Sequence, residues 1–206
     1  MSIIYISSVC AQSRFDRLVS EGAITTQFQN QKFHHLLLSG LRKASTDEIN
    51  VISFYPADRV GKKTRPYEDE HEVGIKYIYP KFRDIPVVQH LSKFFGTYRQ
   101  IRKLYRKDSF IVCNIMNLDE CRAALAFRRF HKVKVCAIVA DVPGLTSGAN
   151  KSRDAKWKRV LTQLTAPFYR SANGRYDGYL FLTEAMDNVV NKKGKPSRKY
   201  ITLPDD

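Results

Sequence analysis

Apolar runs of strand length alternate along this chain with longer segments of helical period. That alternation admits few architectures besides a largely parallel sheet built from βα units with right-handed crossovers. The runs Ile3 to Ser7, Ile49 to Tyr55, Ile75 to Tyr79, Phe110 to Asn114, Val133 to Val139 and Tyr179 to Leu182 read as strands, and Tyr200 to Leu203 reads as a last short one. Helices are expected over Gln27 to Lys43, Pro86 to Lys107, Leu118 to His131 and Asp154 to Ser171, the last bent or broken near Pro167. The first of these carries Phe28, Phe33, Leu36, Leu37 and Leu41 on one side. The polar stretch Asp58 to Glu72 reads as a surface loop, and no internal repeat or low-complexity tract interrupts the pattern.

At 206 residues the chain is long enough for one well-buried domain and too short for two Rossmann-type domains of ordinary length, so residues 1–206 are expected to form a single α/β unit. Its expected class is a Rossmann-like, open, mostly parallel sheet with helices on both faces. A formal net charge of +15 favours an anionic partner: nucleic acid, a phosphorylated ligand or an acidic membrane surface. Cys10, Cys113, Cys121 and Cys136 have neither CxxC spacing nor the density of a disulfide scaffold, which points to free thiols in a reducing compartment. The start lacks a basic n-region and no later stretch is long and apolar enough to span a bilayer, so a cytoplasmic protein is expected, with any membrane association peripheral.

A dinucleotide-binding Rossmann domain carries GxGxxG after its first strand, because glycines let the backbone approach the pyrophosphate. Here that place reads Ser7-Ser-Val-Cys-Ala-Gln-Ser-Arg-Phe15, and the first glycine after it is Gly22. A Walker loop is absent from the sequence as well, so no nucleotide cofactor is expected. The stretch Ser8 to Thr26 is either a substrate-facing loop or an ordinary surface excursion. His34 and His35 are adjacent, face different directions and are read as surface or half-buried; no ligand spacing suggests a metal.

The segment Tyr179-Leu-Phe-Leu-Thr-Glu-Ala-Met-Asp-Asn-Val-Val-Asn-Lys-Lys-Gly-Lys-Pro196 turns from a strand directly into a short helix. Thr183 is placed to cap that helix, with Glu184 and Asp187 in its first turn. Such strand-to-helix corners are where open α/β sheets bind ligands. Together with Asn30-Gln-Lys-Phe-His34 and the run into Gly40-Leu41, this wording resembles the amino-terminal half of family 4 glycosyltransferases of the two-domain GT-B fold. The resemblance covers nearly the whole chain.

It implies an acceptor-side domain for building polysaccharide or glycolipid, facing a second, donor-binding domain that is not encoded in these residues. A nucleotide-sugar would then be bound with that donor half, and the acceptor would be a sugar or a lipid-linked sugar. On this resemblance Ser8, Arg14, Gln31, Lys32, Thr183 and Glu184 are expected near the acceptor, with Asn30 beside them, while Phe33, Leu37 and Gly40 pack on the sheet. Asp141 is the catalytic candidate, at the end of Ala137-Ile-Val-Ala-Asp141. Many members carry a His-Asp pair at this corner; here Ala140 stands in the histidine's place. Asp141 either enters the crevice or caps the turn through Pro143 and Gly144.

Basic residues interleave with aromatics on two expected helices. Arg99, Arg102, Lys103 and Arg106 lie on one, and Lys151, Lys156 and Lys158 flank Trp157 on the other. Such faces suit either an anionic membrane surface or plain solvent with their aromatics packed inward, and two of them in a chain of this net charge favour the membrane. Two other readings are a basic nucleic-acid-binding module and a non-catalytic Rossmann-like regulatory subunit. The first has no RRM, zinc-finger or helix-turn-helix signature in its favour, so nucleic acid is not expected as the partner.

Overall fold

The computed structural model describes residues 2–22, 28–45, 47–54, 68–82, 85, 88–140 and 175–199. Among them, eight strands form one sheet: β1 Ser2–Ser7, β2 Glu48–Ser53, β3 Glu70–Glu72, β4 Ile75–Ile78, β5 Ser109–Asn114, β6 Lys134–Val139, β7 Gly178–Phe181 and β8 Ser197–Lys199. The helices are α1 Gln12–Ser20, α2 Phe28–Ala44, α3 Val88–Leu104, α4 Leu118–Phe130 and α5 Glu184–Val190.

The strand order is β3-β4-β2-β1-β5-β6-β7-β8. Every pairing is parallel except β3 with β4, an edge hairpin closed by Val73 and Gly74. Both turn residues have positive φ, 50° and 73°, as a two-residue hairpin turn requires. From β4 to β7 the order is that of a doubly wound Rossmann-like sheet, reversing between β1 and β5. Register runs straight across the reversal: Ile6 lies beside Cys113, Cys113 beside Ala137, and Ala137 beside Tyr179.

Strands buried on both faces read as continuous apolar runs, which is why β1, β2, β5 and β6 were legible. Alternate side chains feed two cores. Ile4, Ile6, Ile52, Ile111, Cys113, Val135 and Ala137 pack with Ile101 of α3, with Cys121, Ala124 and Phe127 of α4, and with Val190 of α5. Ile3, Tyr5, Ile49, Val51 and Ile138 pack on the other face with Phe15 and Leu18 of α1 and Leu38 of α2. Cys10, Cys113 and Cys121 are buried free thiols and Cys136 is half-buried.

The structure departs from expectation in five places. Helix α1 occupies part of the stretch read as a loop, and β3 lies at the end of the polar stretch read as one. The core-facing side of α2 is Gln31, His34 and Leu38 rather than the Phe28 and Leu36 side; Phe28 and Leu36 are exposed, while Phe33, Leu37 and Leu41 are partly buried. Gly40 is exposed, with nothing near the place a Cβ would take. A strand at Ser197–Lys199 precedes the one expected over 200–203, which lies outside the described residues, as does the helix expected over 154–171.

Candidate functional site

In an open parallel sheet the crevice opens at the carboxyl ends of the strands on either side of the reversal, here Ser7 of β1 and Asn114 of β5. Loop 8–11 leads from β1 into α1, and the first turn of α2 packs under it. Gln31 holds that loop with both ends of its amide. Its Oε1 accepts from the Cys10 backbone N–H at 3.1 Å and its Nε2 donates to the Ser8 carbonyl at 2.9 Å. Asn30 Nδ2 donates to the Ser8 hydroxyl at 3.2 Å. A glutamine only 1% exposed on a helix face thus does the work of a neighbouring strand for an irregular loop.

One turn further along α2, His34 is fully buried between the two strands that flank the reversal. Its Nδ1 lies 2.5 Å from the Tyr5 hydroxyl and its Nε2 lies 2.9 Å from Asn114 Nδ2. The Met116 backbone N–H donates to Asn114 Oδ1 at 3.1 Å, which leaves Nδ2 as the donor toward His34. The imidazole is therefore the neutral Nδ1–H tautomer, donating to Tyr5 and accepting from Asn114. Burial, and secondarily the neighbouring His35, push its pKa down to about 3. His34 was read from sequence as surface or half-buried. A polar residue inside an apolar period gives no sign of the partners that allow its burial.

The amino end of α1 points at the same edge. Ala11 stands at its N-cap and offers no capping side chain; Glu72 of β3 supplies one from the far side of the hairpin. Its carboxylate accepts from the Gln12 N–H at 2.6 Å and the Ser13 N–H at 3.3 Å. Glu70, two residues back on the same side of β3, binds Arg14 at 2.8 Å and accepts from the Tyr79 hydroxyl at 3.0 Å. The Tyr79 hydroxyl in turn accepts from the Ala11 N–H at 3.0 Å, and the Arg14 guanidinium lies over the Tyr79 ring. The place where a Rossmann domain takes an anionic phosphate is filled here by the protein's own carboxylate.

Several expected site residues are placed differently from the reading of the sequence. Arg14, 7% exposed, is buried against Glu70, and Gln31 is buried under the loop, so both side chains are engaged by the protein's own groups. Ser8 is half-buried at the end of β1, and Lys32 is exposed on α2. Thr183 and Glu184 are exposed at the start of α5; Thr183 has an extended backbone, but its hydroxyl makes no capping hydrogen bond. Strands β1 and β6 are not neighbours, because β5 lies between them. Three strand spacings therefore separate Ser8 from Thr183 along the edge, roughly 14 Å. Asp141, Lys151, Lys156 and Lys158 lie outside the described residues.

Further polar groups line this edge. Asn114 and Asn117 bracket the turn from β5 into α4, and Glu120, in the first turn of α4, is 3% exposed. Burial pushes the Glu120 carboxyl up, with Lys93 pulling the other way. Cys10, in the β1 loop, is held as a thiol by burial and by Glu70, with its pKa raised to about 12, which makes it a poor nucleophile at neutral pH. Among the described residues no group of three or more His, Cys, Asp or Glu is placed to hold a metal ion. No helix among them is long and apolar enough to cross a membrane.

No protein-family model matches the chain, and no curated protein matches its sequence. Among solved structures, the chain is similar to an α,α-trehalose-phosphate synthase (UDP-forming) from Burkholderia vietnamiensis, with TM-score 0.48 and 9% identity over 93% of this chain and 41% of that one. It is also similar to the α,α-trehalose 6-phosphate synthase of Burkholderia multivorans, with TM-score 0.49 and 11% identity over 93% of this chain and 43% of that one. The chain thus spans about two fifths of the length of the solved structures it matches.

Proposed function

We propose that the chain is the acceptor-side half of a glycosyltransferase, receiving a sugar or lipid-linked sugar in the crevice between β1 and β5. The observation that carries this reading is the capping of α1 by Glu72. A diphosphate brought to the first βα turn would meet a carboxylate already bonded to the Gln12 and Ser13 amides. That disfavours nucleotide binding at the turn and suits an uncharged, hydroxyl-rich ligand instead. The likeness of Asn30 to His34 and Tyr179 to Pro196 to family 4 glycosyltransferases supports the same assignment.

In this reading Ser8, Asn30 and Lys32 meet the acceptor from the β1 side, and Thr183 and Glu184 close the far end of the edge. Gln31, His34 and Asn114 are positioning residues that hold the loop and the β5 turn rigid. The nucleotide-sugar is bound by a donor-binding half, and Asp141 acts where the two halves meet.

The test is Asp141→Asn assayed for both stability and sugar transfer alongside a donor-binding half. A crevice role predicts unchanged unfolding free energy with reduced transfer. A turn cap predicts the reverse, a cost of about 0.5–2 kcal/mol with transfer intact, and that outcome removes Asp141 from the site.

A further inference from the structure

Helix α3 presents a composite face to solvent. On a helix turning about 100° per residue, Val88, Leu91, Phe95, Arg99, Arg102 and Lys103 share an arc of roughly 120°. The opposite side of the helix carries the buried Thr97 and Ile101 and packs on the sheet and α4. Large apolar side chains are ordinarily drawn to that buried side, yet Leu91 is 57% and Phe95 63% exposed, with Val88 at 37%. Arg99, Arg102 and Lys103 continue the same arc and are exposed.

The charge on this helix is one-signed. From Val88 to Lys107 the sequence has six lysines and arginines and no aspartate or glutamate. Arg106 binds Glu48 of β2 at 3.1 Å, and Lys93 lies over the Phe82 ring, away from the arc. Among the described residues no carboxylate pairs with Arg99, Arg102 or Lys103. An arc that is apolar at one end and cationic at the other asks for a partner offering an apolar phase beneath a layer of negative charge.

We propose that this face of α3 docks on an anionic lipid bilayer, with Leu91 and Phe95 entering the headgroup–acyl boundary and Arg99, Arg102 and Lys103 resting on lipid phosphates. Nucleic acid satisfies the cations but leaves Leu91 and Phe95 in water. A second copy of the chain places cation against cation. The docking face lies across α3 from the sheet, so its failure or success leaves the assignment of the crevice untouched.

The test is sedimentation of the full chain with vesicles of phosphatidylcholine alone and of equal parts phosphatidylcholine and phosphatidylglycerol, in low and high salt. Binding is expected for the anionic vesicles and is expected to weaken with salt. The triple substitution Arg99→Gln, Arg102→Gln, Lys103→Gln is expected to weaken it about a hundredfold, and Leu91→Ser with Phe95→Ser at least about tenfold. Because all five side chains are exposed, thermal melts of both variants are expected to overlay the parent. In Phe95→Trp, the emission of the new tryptophan, read as the difference from the parent, is expected to shift to the blue on anionic vesicles alone. Absence of vesicle binding, equal binding to neutral vesicles, or full binding by the Leu91 and Phe95 variant overturns the proposal. So does tighter binding to a DNA duplex than to anionic vesicles, lost in the triple variant alone, which assigns the face to nucleic acid.

Discussion

His34 of α2 donates from Nδ1 to the hydroxyl of Tyr5 on β1, so a helix and a central strand are joined by a neutral imidazole with no access to water. The same ring accepts from Asn114, and thereby ties together the two strands between which the sheet reverses.

This arrangement makes stability depend on pH in a definite direction. The folded-state pKa of His34 is near 3, whereas an unfolded chain titrates near 6.5. Between those values the unfolded state binds the extra proton, so the contribution is fully present above about pH 6.5 and is lost as pH falls toward 3. Its size is on the order of a few kcal/mol. Urea unfolding at pH 7, 5.5 and 4 is expected to show this loss, with a shallower pH slope in His34→Gln. Identical slopes in the two proteins would show that His34 protonates without cost.

Glu72 yields a different kind of test, because it occupies an anion's place. Glu72→Ala removes the acceptor for the Gln12 and Ser13 amides and is expected to cost about 0.5–2 kcal/mol. Inorganic phosphate is expected to restore part of that stability in the variant and to leave the parent unaffected, since α1's amino end is open in the variant alone. Equal response of both proteins to phosphate would place the anion elsewhere.

These two residues also mark where sequence reading succeeded and where it stopped. Strands such as Ile3 to Ser7 and Val133 to Val139 were legible because burial on both faces leaves an unbroken apolar run, and the order of elements then suggested a Rossmann-like sheet. Helix α1 was not legible: Gln12-Ser-Arg-Phe-Asp16 follows Ala11, which cannot cap it, and the cap arrives from Glu72, 60 residues later. The inward side of α2 escaped notice because Gln31 and His34 are polar, and their partners Ser8, Cys10, Tyr5 and Asn114 are brought together by the fold. The burial of Arg14 escaped notice for the same reason, since its partner Glu70 sits in a stretch that reads as polar loop. The basic and aromatic character of α3 was legible, but which apolar side chains share the cationic face was not, since only the packing of α3 on the sheet and α4 separates exposed Leu91 and Phe95 from buried Ile101.

The acceptor-side assignment is tested most directly by amide chemical-shift mapping of the isotopically labelled chain, titrated separately with neutral mono- and disaccharides and with UDP- and GDP-sugars. The account predicts that neutral sugars shift the amides of Ser8, Asn30, Asn117 and Thr183 at the carboxyl edge of the sheet, while the nucleotide-sugars bind the chain weakly or not at all. Low-micromolar binding of a nucleotide-sugar by this chain alone, with shifts centred on Gln12 and Ser13 at the start of α1, would contradict it.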